Sequence, residues 1–201
     1  ASHNPPSYNG YKLKSKFGGP LIVKHIEEVE ALIPDSYAVN EVSVQELAEA
    51  GKVEIVDLET LYFEHVAENF DLEEINSSGV AVAYDAMYGA GQSVLPRILP
   101  HADLMHCEYN PSFYGQAPDP ISKNLQEFEK YLKQTRHADI GFATDGDADR
   151  IGLYDGKGNY VDSHHVILLL IHVLHKYKGL TGKVVVGFSV SDKVKKLCAA
   201  F

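Results

Sequence analysis

From Lys52 onward, short apolar runs alternate with stretches whose apolar residues recur at helical spacing, and this alternation constrains the fold more than any other feature of the chain. Residues 53–56, 80–84, 101–107, 139–144 and 183–188 read as strands, the third of them weakly patterned. Residues 58–70, 90–99, 125–134 and 165–177 read as helices. Residues 151–154 and 160–161, joined by Gly156-Lys157-Gly158-Asn159, read as a hairpin. Strands that alternate with helices build βαβ units, so the predicted class is α/β, with a mixed, mostly parallel sheet and helices on both faces. Upstream, apolar positions at Ile22, Ile26, Val29, Leu32 and Ile33 predict a helix over 21–33 that Pro34 ends. A short helix is expected over 44–50, stopped by Gly51.

Charge and composition narrow the function. The net charge is -10 and no Lys/Arg block forms a basic stripe, which argues against nucleic acid as a partner. The longest apolar run, residues 166–174 broken by His172, is too short to span a bilayer, so no membrane partner is expected. Cys107 and Cys198 lie far apart without metal-ligand spacing and read as free thiols of a reducing cytosol, a cytoplasmic location. The opening Ala1-Ser2-His3-Asn4-Pro5-Pro6 is neither a start methionine nor a targeting segment, and reads as a cut or processed end.

The stretch that carries chemistry is Ala143-Thr144-Asp145-Gly146-Asp147-Ala148-Asp149-Arg150. Three carboxylates at alternating positions follow a buried strand, with small residues between them that let the backbone curl. Carboxylates at that spacing repel unless a cation neutralises them, and a hard divalent ion such as Mg²⁺ suits an all-oxygen donor set. A calcium EF-hand loop does not fit, because its sixth position is Arg150 rather than Gly and its twelfth is Gly156 rather than Glu. The bland alternative is a solvated acidic turn.

A second signal lies at the amino terminus, where Ser2-His3-Asn4-Pro5 continues to Asn9-Gly10 and Lys12 in a composition typical of surface loops. A serine hydroxyl becomes a useful nucleophile only with a base or metal to help it, and His3, Lys12 or an ion at the acidic loop could give that help. Taken together, the serine loop and the run Asp145-Gly146-Asp147-Ala148-Asp149-Arg150 resemble the active-serine and metal loops of the α-D-phosphohexomutases, the phosphoglucomutases and phosphomannomutases. The run from Ala83 through Gly91, Pro118-Asp119-Pro120 and Asn124-Leu125 is similar to the second domain of that family.

The resemblance implies a phosphosugar mutase of the isomerase class that interconverts glucose or mannose 1- and 6-phosphates. Ser2 would carry the phosphoryl group, and a hexose 1,6-bisphosphate would be the intermediate. Asp145, Asp147 and Asp149 would bind Mg²⁺ together with a phosphoryl oxygen on Ser2. Arg150 would orient the phosphoserine, with Lys12 and His3 as candidates for proton transfer or phosphate contact. It also implies three segments: residues 1–53 as the later part of the first mutase domain, 54–188 as the second domain, and 189–201 as the start of a linker or third domain. On this reading the 201-residue chain is a fragment, inactive by itself. Its first 50 residues would be poorly ordered or paired in a non-native way, with strand edges prone to self-association.

Two other classes remain open on the residues alone: a phosphatase-like hydrolase with an aspartate nucleophile, and a non-catalytic metal-binding domain. His164, His165, His172 and His175 include an HxxH spacing but have no acidic or Cys partners, and read as surface or capping histidines. Gly89-Ala90-Gly91 lacks GxGxxG and GxxxxGK, so it reads as a packing or domain-interface loop rather than a nucleotide site.

Overall fold

The computed structural model describes residues 3–8, 10–38 and 42–201 of the chain. Ser2 and Asn9 of the serine loop lie outside the described residues. The chain forms two compact units, one of residues 1–8 and 62–201, the other of residues 9–61.

The smaller unit holds α1 (Val23–Glu30) and α2 (Val44–Glu49), and α3 (Leu58–Asn69) begins in it. α2 starts at Ser43 through a reciprocal cap: Glu46 N–H donates to Ser43 Oγ at 3.1 Å, and Ser43 N–H donates to Glu46 Oε2 at 2.8 Å. α3 is preceded by Asp57, whose Oδ1 accepts Thr60 N–H at 2.9 Å. The strand expected over 53–56 does not form: those residues are exposed and make no ladder. A short apolar run becomes a strand only where a neighbouring edge takes up its N–H and C=O groups.

The larger unit centres on a five-stranded sheet in the order β2-β1-β3-β4-β5. Its strands are β1 (Val82–Asp85), β2 (Asp103–Met105), β3 (Ile140–Thr144), β4 (Ile151–Asp155) and β5 (Tyr160–Val161). β1 runs parallel to β2 and β3, whereas β4 runs antiparallel to β3 and β5. The sheet is thus mixed, with its parallel part at β2-β1-β3. The α/β class read from the alternation is the observed one. Connection length decides the directions. α5 (Gly91–Ile98) and α6 (Gln126–Thr135) lie in the crossovers between the parallel strands, while β3 and β4 are joined only by residues 145–150, enough to reverse the chain and no more.

Strand alternation assigns the faces. Tyr84 and Phe142 are paired in register, and their rings meet on one side, tilted by 43° with centroids 4.9 Å apart. The Tyr84 hydroxyl lies against Gly91 at the start of α5 and is 2.7 Å from Thr144 Oγ1. On the other side Ala83 and Ala143 join Phe128 and Leu132 of α6 and Tyr154 of β4 in the core cluster. α6 sits so close that a Cβ on Gly141 would come within 2.7 Å of Leu132 Cδ1.

Three further helices complete the unit. α4 (Leu72–Ser77), not foreseen, is capped by Asp71 Oδ1, which accepts Glu74 N–H at 2.8 Å. α7 (Ser163–Lys176) begins at Asp162, whose Oδ1 accepts the His165 N–H and lies 2.9 Å from its Nδ1. The His175 ring stacks on Phe201, with centroids 4.4 Å apart. The run 183–188 is exposed and makes no ladder, so the last expected strand is absent among the described residues. Residues beyond it form α8 (Asp192–Ala200), which packs on α7. No helix among the described residues is long and apolar enough to cross a membrane.

Candidate metal centre

The acidic loop is the reversal between β3 and β4. Asp145 follows the last residue of β3, and its side chain is fully buried. One carboxylate oxygen, Oδ1, accepts the N–H groups of Asp149 and Arg150, both at 3.0 Å. Ala148 N–H donates to the Asp145 carbonyl at 3.0 Å, and Ala148 itself is left-handed at φ 58°. These bonds wind the loop around the Asp145 carboxylate. The consequence is geometric: ligand oxygens of Asp145, Asp147 and Asp149 all lie within 4.8 Å of one another, the first buried and the other two exposed.

Arg150 leans across this cluster. Its Nε is 4.0 Å from Asp145 Oδ2 and its Nη1 is 3.6 Å from Asp119 Oδ1. It thus sets one positive charge beside the Asp145 and Asp119 carboxylates. Two carboxylates about 5 Å apart repel by roughly 1 kcal/mol in bulk water and by roughly 3–4 kcal/mol at an effective dielectric near 20. A divalent cation removes that cost. The donor set fits a hard ion: it is all carboxylate oxygen, with no thiolate or imidazole to favour zinc or copper, and the two exposed ligands leave room for water or a phosphate oxygen.

The loop is also held from outside. Residues 86–90, which follow β1, press on it: Ala90 N–H donates to the Gly146 carbonyl at 2.9 Å. A Cβ on Gly89 would stand 2.7 Å from the Asp145 carbonyl oxygen and 2.9 Å from Gly146 Cα, so only glycine fits. This packing role matches the sequence reading of Gly89-Ala90-Gly91. The site lies where β1 and β3 end side by side. The connection from β1 leads outward to β2 and the next crosses back to β3, and ligands of open α/β sheets collect at such a switch point.

A second polar cluster borders it. Asp85, 2% exposed at the end of β1, lies 2.9 and 3.0 Å from His106 Nδ1 through its two oxygens and accepts Met87 N–H at 2.8 Å. The hydrogen bond to Asp85 raises the His106 pKa above the ordinary imidazole value, with burial opposing it. The Tyr88 ring lies 4.7 Å from that of His106, and burial, helped by nearby acids, pushes the Tyr88 hydroxyl up to about 12. These residues line a cavity of about 490 Å³ with Tyr114 and Lys123.

The structure thus brings Asp145, Asp147, Asp149 and Arg150 together. His3 is half-buried in a turn and belongs to the same unit as the acidic loop, whereas Lys12 is exposed in the smaller unit. Ser2 lies outside the described residues. Sequence reasoning missed Asp119 as the second partner of Arg150, and the Asp85–His106 pair altogether. Asp119 sat in a motif already singled out; the pair carried no local signal.

Comparison with known proteins decides the relationship. The family described as "Phosphoglucomutase/phosphomannomutase, alpha/beta/alpha domain II" matches residues 60–158, and its domain I matches residues 1–39. The chain belongs to the phosphoglucomutase/phosphomannomutase family. The acidic loop falls within the domain II match. Among family members, "Probable phosphoglucosamine mutase" of Pyrococcus furiosus is 35% identical over 97% of the chain and 42% of its own length. A phosphoglucomutase of Komagataeibacter xylinus is 28% identical over 97% of the chain and 39% of its own length. A crystal structure bearing a phosphomannomutase name, from Thermus thermophilus, superposes with a TM-score of 0.82 at 32% identity, covering 98% of this chain and 44% of that one. The chain therefore spans about two-fifths of the length of the curated relatives it matches.

Proposed function

We propose that this chain is the part of a phosphohexose mutase that carries the phosphoserine and the metal loop. It would work in a longer protein that interconverts hexose 1- and 6-phosphates. The observation that carries the reading is the convergence of three aspartate oxygens on the β3–β4 reversal, with Arg150 across them, in a chain matched by both family domains. In the proposed division, residues 1–53 close the first mutase domain, 54–188 form the second, and 189–201 lead onward.

The roles follow from chemistry. Ser2 Oγ, phosphorylated, gives its phosphoryl group to a free hydroxyl of the sugar monophosphate; the Oγ–P bond breaks as the O–P bond to the sugar forms. The resulting 1,6-bisphosphate turns over in the site and returns its other phosphoryl group to Ser2. His3 and Lys12 would take the proton from the attacking hydroxyl and hand it to the departing one. Arg150 provides a fixed fork of donors for phosphoryl oxygens. Asp145, Asp147 and Asp149 would hold Mg²⁺, which when bound offsets the charge that builds up on the phosphoryl oxygens. Relatives bear glucosamine, glucose and mannose names, and one bears a phosphopentomutase name; the hexose names support a hexose phosphate as the proposed substrate class, with its sugar left open. The reading places the enzyme in the cytoplasm. Exposed apolar residues such as Leu32 and Val185 support self-association of this chain by itself, and a sharp monomer in sedimentation would count against that.

Mapping the phosphorylated residue of the full-length enzyme after incubation with glucose 1,6-bisphosphate tests the mechanism. Phosphate on Ser2, with near-total loss of turnover in Ser2→Ala, is the expected result. Phosphate on an aspartate of the acidic loop would establish the hydrolase reading instead. Undiminished turnover in Ser2→Ala would leave the loop a binding element only.

A further inference from the structure

Two segments separated by 55 residues or more meet at the acidic loop, and the contact can be followed atom by atom back to a buried ion pair. Asp85 ends β1, and its Oδ1 accepts both the Met87 N–H at 2.8 Å and the His106 ring nitrogen at 2.9 Å. Just beyond it, Met87 and Tyr88 are both left-handed, at φ 46° and 60°, a conformation that non-glycine residues hold only when their surroundings impose it. His106, left-handed as well at φ 49°, supplies a second tie: its carbonyl accepts Tyr88 N–H at 3.0 Å. The chain then turns so that Gly89 N–H donates to the Ala86 carbonyl at 2.7 Å. Gly89 lands against the Asp145 carbonyl and Gly146, where Ala90 N–H completes the contact.

We propose that Asp85 and His106 are positioning residues for the cation site: by fixing residues 87–90 they set the shape of the acidic loop and so its affinity for a divalent ion. This rests on the cation reading given above. Neither residue touches the ion; both act through the backbone between them and Asp145. The groups facing His106 are Asp85 from β1, Glu127 of α6 with its Oε2 3.7 Å from Nε2, Glu108 from the segment after β2, and the Tyr88 ring, with Lys123 lining the same cavity. Most of these favour a cationic imidazole, which hydrogen-bonds to Asp85 and has Glu127 at ion-pair distance only.

The test is Mn²⁺ binding to the chain by calorimetry, combined with hydrogen exchange at the Asp149 and Arg150 amides that donate to Asp145. His106→Ala is expected to weaken Mn²⁺ binding about tenfold and to speed exchange at those two amides, the size of effect expected from one lost charge-assisted hydrogen bond. His106→Asn, which keeps a donor near Nδ1 and tolerates a left-handed backbone, is expected to restore binding to within about threefold of wild type. Gly89→Ala, acting at the contact itself, should weaken binding even if His106→Ala does not fold. Leu132→Ala, which lowers stability from the core far from the loop, should leave affinity unchanged. If His106→Ala and Gly89→Ala bind Mn²⁺ as the wild type does, or if Leu132→Ala weakens binding as much as they do, the positioning role is overturned while the cation site stands. If wild type binds no Mn²⁺, or Asp147→Asn binds it undiminished, the cation reading itself falls and the positioning role with it.

Discussion

The sheet-centred residues 82–161 and the segment 10–61 are made from similar local patterns and end up in opposite conditions. In the first, Tyr84, Phe128, Leu125 and Tyr154 are essentially without solvent contact, and β1 and β3 lie side by side beneath α6. In the second, no described residue is buried: Val29 of α1 is 43% exposed although the helix's apolar spacing is as regular as that of α6, and Leu32 in the turn after it is 81% exposed. Amphipathic pattern marks where a helix forms, though α1 stops at Glu30, short of the Pro34 that the pattern suggested. Only a partner surface turns that pattern into buried area, which supplies most of a helix's stability in a protein.

Three measurements bear on that contrast. The largest difference is expected from a matched pair of truncations. Phe128→Ala should cost about 3–5 kcal/mol in chemical denaturation because it empties a packed site, whereas Leu32→Ala should change stability by about 0.5 kcal/mol or less. Equal losses would erase the distinction between the two regions. Next in size, Ser43→Ala should cost α2 about 1 kcal/mol by removing its reciprocal cap. That loss should be visible as faster amide exchange over 44–49 with the cooperative melting of the sheet region unmoved. A shift of the main transition would instead couple the two units energetically.

The smallest effect is a pH dependence inside the sheet region. His106 has its pKa raised by its hydrogen bond to Asp85, so the folded state binds the proton more tightly than the unfolded chain. The resulting stabilisation is fully present below the ordinary imidazole value of about 6.5 and is lost as pH rises through the raised folded value. The melting temperature of wild type should therefore exceed that of His106→Asn by more at pH 5.5 than at pH 9. A margin that grows with pH would contradict the assignment of charge to His106.

What the sequence disclosed, and what it withheld, follows from the range of the forces involved. The acidic loop was legible because its ligands alternate within five residues and its curl is made by bonds within six. The start of α2 is equally local, and α4 could have been read from Asp71 with Glu74 three positions on. Residues 53–56 and 183–188 have the composition of strands, yet a strand exists only beside another, and no neighbour takes them up among the described residues. Asp85 and His106 are 21 positions apart, and Arg150 and Asp119 are 31 apart. Pairs of that kind are created by sheet order, which no local spacing encodes.

All three carboxylates of the candidate cation site come from five successive residues of a single reversal, rather than from separate parts of the sheet. A site assembled from distant elements surrenders its ligands one at a time as its members loosen. Here a momentary unwinding around Ala148 would disperse the whole set at once, with the sheet still intact behind it. Capture and release of an ion would then be an all-or-none event confined to one turn of the chain, set by how often that turn opens rather than by the stability of the domain.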